Sequence, residues 1–297
     1  DFDRLCVRSH RAVSAIYKDK RFGREIPHSL KSSPPSHLED FYQIEKHSML
    51  EKEPPTHTRL RSLVLRAFTS KKIAQFDGEL EILCRQLIDK FSGDSVDLLP
   101  SYAQKIPIII IARLLGVPEE MSDHLLSWSN KMVAMYQARR TREIEIEANT
   151  AAIEFNAYIT NYINKRRRSP KDDLLSNLIS AEEKGEKLTT AELVSTVVLL
   201  LNAGHEATVH TLGNGIKTLI ETQRAVEWVK PEVIKQTVEE IMRFDPPLHM
   251  FNRYAYQDIE LFDLKIKKGQ EIMLMLAAAS RDPEAPVSYT HLRAHET

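Results

Sequence analysis

The chain has 297 residues, of which 42% are hydrophobic and 28% are charged, and its formal net charge is -1. This size suits one large domain or two small ones. A net charge close to zero does not favour binding to nucleic acid or to an anionic membrane. No apolar run reaches the roughly 18 residues that a membrane span needs. Cys6 and Cys84 lie far apart without a CxxC spacing, so we expect free thiols in a reducing cytoplasm.

The N-terminal part of the chain predicts a loop and then a basic helix. Prolines and serines at 31–36 break regular structure, and after Glu53-Pro54-Pro55-Thr56 a helix is expected over residues 57–68. His57 and Arg61 are four residues apart, so they share a helix face and can converge on one anionic group. A solvated basic helix is the plainer alternative, because charged runs usually face water.

The middle of the chain predicts a series of helices. Apolar periodicity and breaking residues place them at 69–91, 96–116, 122–140, 143–168 and 172–181. The helices at 122–140 and 143–168 have the pattern of surface helices. The cations at 165–168 come just before Ser169-Pro170, where positive charge satisfies a helix C-terminus, and this interpretation is favoured over nucleic-acid binding. A charged loop is expected at 182–187.

The longest apolar segment, 193–216, predicts a buried helix. Thr189 and Glu192 have the capping-box spacing that opens a helix. Within the helix, the segment 202–208 (Asn-Ala-Gly-His-Glu-Ala-Thr) is a polar notch. A helical Gly costs about 1 kcal/mol relative to Ala, and a buried Glu costs roughly several kcal/mol unless it is paired. This conflict between local rules and the overall pattern indicates a functional site, with a kink solvated by water as the alternative.

Helix geometry excludes a zinc site in this notch. His205 and His210 are five residues apart, and five residues turn a helix by about 500°, so the two imidazoles point about 140° apart. The metalloprotease pair needs two histidines four residues apart on one face. These two side chains are therefore not expected to share a metal.

The C-terminal third predicts one more helix and a small sheet. Residues 231–244 have helical periodicity, and Glu240 and Arg243 can pair on one face, a contact worth about 0.2–0.5 kcal/mol at a surface. Residues 254–262 and 266–276 have strand-like content around a Lys-Lys-Gly turn. We therefore predict a mainly helical fold with a small antiparallel β-sheet.

Four short motifs follow one another along the chain. They are Pro54-Pro55-Thr56-His57-Thr58-Arg59-Leu60-Arg61, Ala203-Gly204-His205-Glu206, Glu240-Ile241-Met242-Arg243 and Ser280-Arg281-Asp282-Pro283. Glu-x-x-Arg and Ala-Gly-x-Glu are weak signals alone, whereas all four together at this spacing are specific. Over residues 30–283 the chain resembles the cytochrome P450 family, the haem-thiolate monooxygenases, in its soluble bacterial form. The resemblance implies the cytochrome P450 fold and a haem b cofactor.

The resemblance also implies a role for each matching residue. His57 and Arg61 would bind one haem propionate, and Arg253 would bind the other. Ala203 would contact the cofactor, and Gly204 would let the helix backbone approach bound oxygen. Glu206 and Thr208 would be the acid and the hydroxyl of a proton relay. Glu240 and Arg243 would form the structural pair behind the haem, and the substrate pocket would be lined by Leu248, Met250 and Phe251.

The implied reaction inserts one oxygen atom of O2 into a small apolar organic substrate, with electrons from a ferredoxin or flavodoxin-type partner. An axial Cys thiolate would favour cleavage of the O–O bond. Candidate docking residues for the acidic partner are Arg59, Arg66, Lys71 and Lys72, with a merely solvated basic face as the alternative. Two other functions stay open: a haem-free helical domain that binds ligands or partners, and a haem enzyme that uses peroxide directly.

The chain departs from the family pattern directly after Glu206, the predicted acid of the proton relay. The family has Thr at that position, whereas here Ala207 occupies it and Thr208 comes next, about 100° further round the helix. Either Thr208 substitutes through a local bulge, or ordered water or a substrate hydroxyl takes its role.

The second departure concerns the axial cysteine. The family's cysteine loop should follow Arg281-Asp282-Pro283, but no Cys follows Cys84, so the resemblance assigns no metal ligand in this chain. We expect one incomplete cytochrome P450 domain over 1–286, without the cysteine loop and the final helix. Residues 287–297 are expected to be a non-native tail, because they resemble translated vector sequence. Such a polypeptide is expected to fold poorly, bind haem weakly and be inactive.

Overall fold

The structure is a computed structural model, and it describes residues 4–68, 73–74, 76–137, 140–183, 185–223 and 225–285. Helices dominate these residues, as the sequence predicts. The helices are α1 (His10–Lys18), α2 (Glu39–Glu45), α3 (Thr56–Ala67), α4 (Phe76–Ile88), α5 (Lys105–Leu115), α6 (Ser122–Val133), α7 (Arg142–Arg168), α8 (Leu174–Ser180), α9 (Thr190–Glu221), α10 (Ala225–Trp228), α11 (Ile234–Phe244) and α12 (Leu276–Ala279). The strands are β1 (Leu5–Val7), β2 (Phe22–Gly23), β3 (Glu182–Glu183), β4 (Glu186–Lys187), β5 (Phe251–Ala255), β6 (Ile259–Leu261), β7 (Leu264–Ile266) and β8 (Glu271–Leu274).

The chain divides into two compact units. The terminal unit consists of residues 1–31 and 207–297, and the middle unit consists of Ser32–Glu206. The division falls within α9. One domain over 1–286 remains a prediction, and the expected tail at 287–297 lies outside the described residues.

The core of the middle unit includes α7, which the sequence pattern wrongly predicted to be a surface helix. Phe155, Ile159 and Ile163 of α7 are fully buried, because apolar residues recur at every fourth position along one face. They belong to one apolar cluster with Ile108 of α5 and Leu201 of α9. Burying each large apolar side chain contributes about 1.5–3 kcal/mol, so α7 is a main source of this unit's stability.

A buried ion pair joins the end of α7 to the start of α8. Arg166 Nε donates to Asp173 Oδ2 at 2.6 Å, and the two side chains are 4% and 6% exposed. Arg166 Nη2 also donates to the Gly116 carbonyl oxygen at 2.8 Å. Asp173 caps α8 by accepting a hydrogen bond from Ser176 N at 2.8 Å. The cations at 165–168 are therefore more than a solvated helix end, because one of them is a core group.

Gly116 ends α5, as the sequence predicts. Its φ is +71°, in the left-handed region, and a Cβ there would lie 2.2 Å from an Asp173 carboxylate oxygen. Glycine alone avoids both the conformational cost and the clash. This residue therefore lets α5 approach the buried ion pair.

The terminal unit contains a four-stranded sheet in the order β1-β8-β5-β2. Strand β5 pairs antiparallel with β8 and β2, whereas β1 pairs parallel with β8, with Leu5 opposite Ile272. The predicted small sheet is confirmed, but it is mixed rather than purely antiparallel, because its outer strand β1 comes from the N-terminal segment. Ile16 of α1 packs in the same apolar cluster as Ile272 and Leu274.

Two hairpins complete the strands. In the terminal unit β6 pairs antiparallel with β7. In the middle unit β3 pairs antiparallel with β4, with Glu182 opposite Lys187. The predicted charged loop at 182–187 is therefore a short hairpin, in which one of the two cross-strand pairs, Glu182 with Lys187, joins opposite charges.

Within the described ranges, no helix is both long and apolar enough to span a lipid bilayer. The same residues hold no group of three or more His, Cys, Asp or Glu side chains arranged for a metal ion. Cys6 is exposed on β1 and Cys84 is partly buried on α4, and both are free thiols.

Candidate functional site

The first candidate site lies on α3 in the middle unit. Leu60, Leu63 and Val64 bury one side of this helix, while His57 is half-buried and Arg61 is exposed. Among the residues that the structure describes, neither the His57 nor the Arg61 side chain has a hydrogen bond or an ion pair. Two unpaired donors one turn apart on one helix suit an anionic group such as a carboxylate.

Arg59, between these two residues, is already paired. Its guanidinium group bonds to Glu192 at the start of α9. The Arg59 charge is thus balanced inside the middle unit, and its part in docking an acidic partner stays a prediction. Arg66 is exposed and has a partner of its own. The other two predicted docking residues, Lys71 and Lys72, lie outside the described residues.

The capping box that the sequence predicts at the start of α9 is present. Thr189 N donates to Glu192 Oε2 at 2.9 Å, and Glu192 N donates to Thr189 Oγ1 at 3.2 Å. Burial, the largest single influence, raises the pKa of Glu192. The hydrogen bonds from Thr189 and Arg59, together with the Arg59 charge, outweigh burial, so the net pKa lies below the ordinary value.

Replacing Glu192 by Gln is expected to destabilise the chain near neutral pH but not in acid. A carboxylate whose pKa is lower in the folded chain stabilises folding above about pH 4.3, the ordinary glutamate value, and this contribution is lost as the pH falls through the lower folded value. Urea unfolding of wild type and Glu192→Gln across this range measures the effect. Glu221→Gln, an exposed change on the same helix, is the matched control. A stability difference that does not shrink in acid would contradict the assignment.

The polar notch lies in an unbroken stretch of α9. A Cβ on Gly204 would lie 3.0 Å from Ile111 Cδ1 of α5. The close approach that this glycine permits in the structure is thus to a neighbouring helix, and its role beside bound oxygen stays a prediction. Around it, Ala203 is exposed, His205 is buried and Glu206 is half-buried.

The hydroxyl group of Thr208 does not take the position of the family's threonine through a bulge in the helix. Over its described residues 190–221, α9 has no bulge, so Thr208 does not reach the Ala207 position in that way, and Thr208 is exposed. Thr211, which the sequence reasoning missed, donates its hydroxyl hydrogen to the Ala207 carbonyl oxygen at 2.8 Å. Its spacing of four from Ala207 was the available signal, because that spacing returns a hydroxyl to the same helix face.

In the terminal unit, Glu240 and Arg243 form the pair that their spacing predicts. Arg243 donates from Nε to Glu240 Oε2 at 2.7 Å and from Nη2 to Oε1 at 2.6 Å, and the side chains are 14% and 13% exposed. Arg243 Nη1 donates to the Ser280 carbonyl oxygen at 3.0 Å, and Arg281 Nε donates to the Phe244 carbonyl oxygen at 2.6 Å. Two of the four sequence motifs therefore meet in this unit, and the pair holds the end of α11 to residues 280–281.

Arg253 lies on β5 and packs against an aromatic ring. Its Nη1 donates to the Asn252 carbonyl oxygen at 2.9 Å, and its guanidinium carbon lies 4.7 Å from the centre of the Tyr17 ring. Burial raises the pKa of Tyr17, and the charge of Arg253 offsets only part of that rise. The predicted contact of Arg253 with a propionate stays a prediction.

The three predicted pocket residues lie at the start of β5 and just before it. Leu248 is 49% exposed and Met250 is 36% exposed. The Phe251 ring centre lies 4.3 Å from the guanidinium carbon of Arg24. The role of these residues in binding substrate stays a prediction.

A family model described as Cytochrome P450 matches residues 9–285. Among curated proteins, the chain is 38% identical over 276 residues to the polyketide biosynthesis cytochrome P450 PksS of Bacillus subtilis (strain 168), which covers 91% of this chain and 67% of that protein. It is 32% identical over 280 residues to the biotin biosynthesis cytochrome P450 of the same organism, covering 93% of this chain and 70% of that protein.

Solved structures agree with these matches. A crystal structure of P450BioI in complex with hexadec-9Z-enoic acid ligated acyl carrier protein has a TM-score of 0.90 at 30% identity, covering 97% of this chain and 74% of that one. A structure of PksS of Bacillus subtilis 168 has a TM-score of 0.86 at 33% identity, covering 98% of this chain and 73% of that one.

Proposed function

This chain belongs to the cytochrome P450 family. We therefore propose that its function is that of a haem-dependent monooxygenase, an enzyme that inserts one oxygen atom of O2 into a small apolar organic substrate. The observation that carries the proposal is the pair His57 and Arg61, which is unpaired among the described residues and matches the family motif residue by residue. A ferredoxin or flavodoxin-type protein is the proposed electron donor.

The cations of α3 fit the acidic edge of a haem b group. Haem carries two propionates, and no described side chain competes for the His57 and Arg61 donors. We assign Arg253 to the second propionate and Ala203 to the part of α9 that contacts the cofactor. When bound, the haem supplies the iron at which dioxygen is activated.

We assign the axial thiolate of the family to neither cysteine. Cys6 is exposed on β1. Cys84 lies beside Tyr102, whose pKa is raised to about 12, first by burial and then by the hydrogen bond with Cys84. Both cysteines also lie in sequence contexts unlike the family's ligand loop, so we derive no iron ligand from the described residues.

The chain's own polar residues are proposed to carry protons and position the site. Glu206 is the proton carrier, because a half-buried carboxyl group can hold a proton on one Oε and release it. Gly204 keeps α9 close to Ile111 of α5. Thr208, or ordered water near it, is the proposed next member of the relay.

The proposed substrate is apolar, because Leu248, Met250 and Phe251 supply apolar side chains at the positions that the family resemblance assigns to its pocket. P450BioI, a structural relative, is seen with an acyl chain on an acyl carrier protein. An acyl chain delivered by such a carrier is a substrate class that we include in the proposal.

Haemin binding tests the proposal. Replacing both His57 and Arg61 by Ala is expected to weaken haemin binding by about tenfold or more, since a hydrogen bond to a charged group contributes about 1.5–3 kcal/mol. Titration of the purified chain with haemin, followed by absorbance, gives the dissociation constant. The matched control is Arg85→Ala, an exposed arginine paired with Glu81 in the same unit, which should bind haemin as wild type does. Equal affinity in the double variant and the control would refute the assignment.

A further inference from the structure

Asn202 is a polar residue in an apolar part of α9. The neighbouring Val197, Val198 and Leu201 are all buried, and asparagine is a poor helix former. The Oδ1 atom of Asn202 is buried and has no hydrogen-bond partner among the described residues. Native proteins keep few buried polar atoms unsatisfied, and those that they keep often serve a function.

The position of Asn202 relates it to one functional candidate. Asn202 and Glu206 are four residues apart in the same helix and in the same unit. Side chains at this spacing lie on one helix face, with their Cβ atoms about 6 Å apart, a distance at which a carboxamide and a carboxyl group can form a hydrogen bond. On the adjacent face, Gly204 packs against Ile111, which fixes this turn of α9 on α5.

We propose that Asn202 is a positioning residue for Glu206. A carboxamide has one acceptor and two donors. Its carbonyl oxygen accepts a hydrogen bond from Glu206 when Glu206 is protonated. After a half-turn of the amide group, its N–H donates to Glu206 when Glu206 is a carboxylate.

One side chain therefore holds the carboxyl group in the same place before and after the proton leaves. No covalent bond to carbon, nitrogen or oxygen is made or broken in Asn202, and only the proton on Glu206 moves. The proton-carrying role of Glu206 rests on the proposed function, whereas the pairing of the two side chains does not.

Infrared spectroscopy of the full chain tests the pairing directly. The carbonyl stretching band of protonated Glu206 is identified by its disappearance in Glu206→Gln. In Asn202→Leu this band should move to higher frequency, because the carboxyl group loses the hydrogen bond to the Asn202 carboxamide. Asn202→Ala, a smaller change, should shift the band in the same direction. An unchanged band in both Asn202 variants overturns the proposal.

Ser195→Ala is the matched control. Ser195 Oγ is also buried on α9 without a partner among the described residues, so this variant removes an unsatisfied polar atom at a different place on the helix. The Glu206 band should stay where it is in Ser195→Ala, and a shift equal to that of Asn202→Leu would overturn the proposal by showing a general effect of helix repacking.

A second measurement separates the pairing from the proposed function. In a completed, haem-loaded protein that carries the family's cysteine loop, loss of coupling between reductant and product in both Asn202→Leu and Glu206→Gln supports positioning for proton delivery. A shifted infrared band with unchanged coupling in Glu206→Gln keeps the pairing but removes Glu206 from the relay. A raised KM in Asn202→Leu with an unshifted band overturns the proposal and assigns Asn202 to substrate contact.

Discussion

Replacing Asp173 by Ala is expected to lower the free energy of unfolding by about 3–5 kcal/mol, because it leaves the buried Arg166 charged and unpaired. The loss includes roughly 1 kcal/mol from the α8 cap, since Asp173 accepts the Ser176 N–H. Urea or thermal unfolding measures this difference. The change acts on three elements at once, because Arg166 also binds the carbonyl oxygen at the end of α5.

Two further variants separate the contributions. Asp173→Asn keeps a good helix cap but removes the charge. If the ion pair dominates, this variant should lose most of the free energy of unfolding that Asp173→Ala loses. Asp172→Ala removes a carboxylate from the exposed neighbouring position and should stay within about 0.5 kcal/mol of wild type. Similar losses in Asp172→Ala and Asp173→Ala would mean that burial of the pair is not the cause.

Replacing Gly204 by Val is expected to destabilise the chain by about 1–3 kcal/mol through overpacking. A Cβ at this position would lie 3.0 Å from Ile111 Cδ1, and Val adds two further methyl groups. Valine and glycine differ little in helix propensity, so the clash decides the sign of the effect. Chemical denaturation with a fluorescence signal gives the free energy.

A double-mutant cycle with Ile111→Ala tests the origin of that loss. Ile111→Ala alone leaves a cavity that costs about 2–5 kcal/mol, but in the Gly204→Val background the new methyl groups fill part of this space. The double variant should therefore lose clearly less than the sum of the single variants, a coupling of about 0.5–3 kcal/mol. Additive losses would show that the glycine has some other purpose, such as the predicted approach of backbone to oxygen.

Local spacing rules predicted much of this fold from the sequence. The capping box of Thr189 and Glu192 and the pair Glu240–Arg243 each depend on residues three apart, so helix geometry alone determines whether they meet. The helix end at Gly116 follows equally from a local conformational preference. Such features need no knowledge of the remaining chain.

The errors concern partners that are distant in the chain. The burial of α7 depends on which helices surround it, so its charged residues made it resemble a surface helix. Arg59 could not be matched to Glu192, because 133 residues separate them. Strand β1 was missed because three residues carry almost no periodicity, and its parallel pairing with β8 depends on tertiary context.

The candidate site also combines residues that sequence motifs can propose with contacts that only the structure shows. The motifs proposed His57, Arg61 and Glu206 as candidates, since family resemblance works residue by residue, and their roles stay predictions. They did not indicate Thr211, because no motif includes it, although its spacing of four from Ala207 agrees with the bond it makes to the Ala207 carbonyl oxygen. They also did not show that Gly204 contacts Ile111, a residue 93 positions earlier in the sequence, because packing distances between helices are not encoded in a motif.

The pairing of β1 with β8 has a consequence for biosynthesis. His10 N bonds to Asp282 Oδ2 at 2.7 Å across 272 residues, so the first strand and helix leave the ribosome long before their partners exist. At roughly 5–20 residues per second, that delay is about 14–54 s. The contiguous middle unit can collapse meanwhile, whereas β1 keeps an unpaired strand edge to which chaperones or other chains can bind.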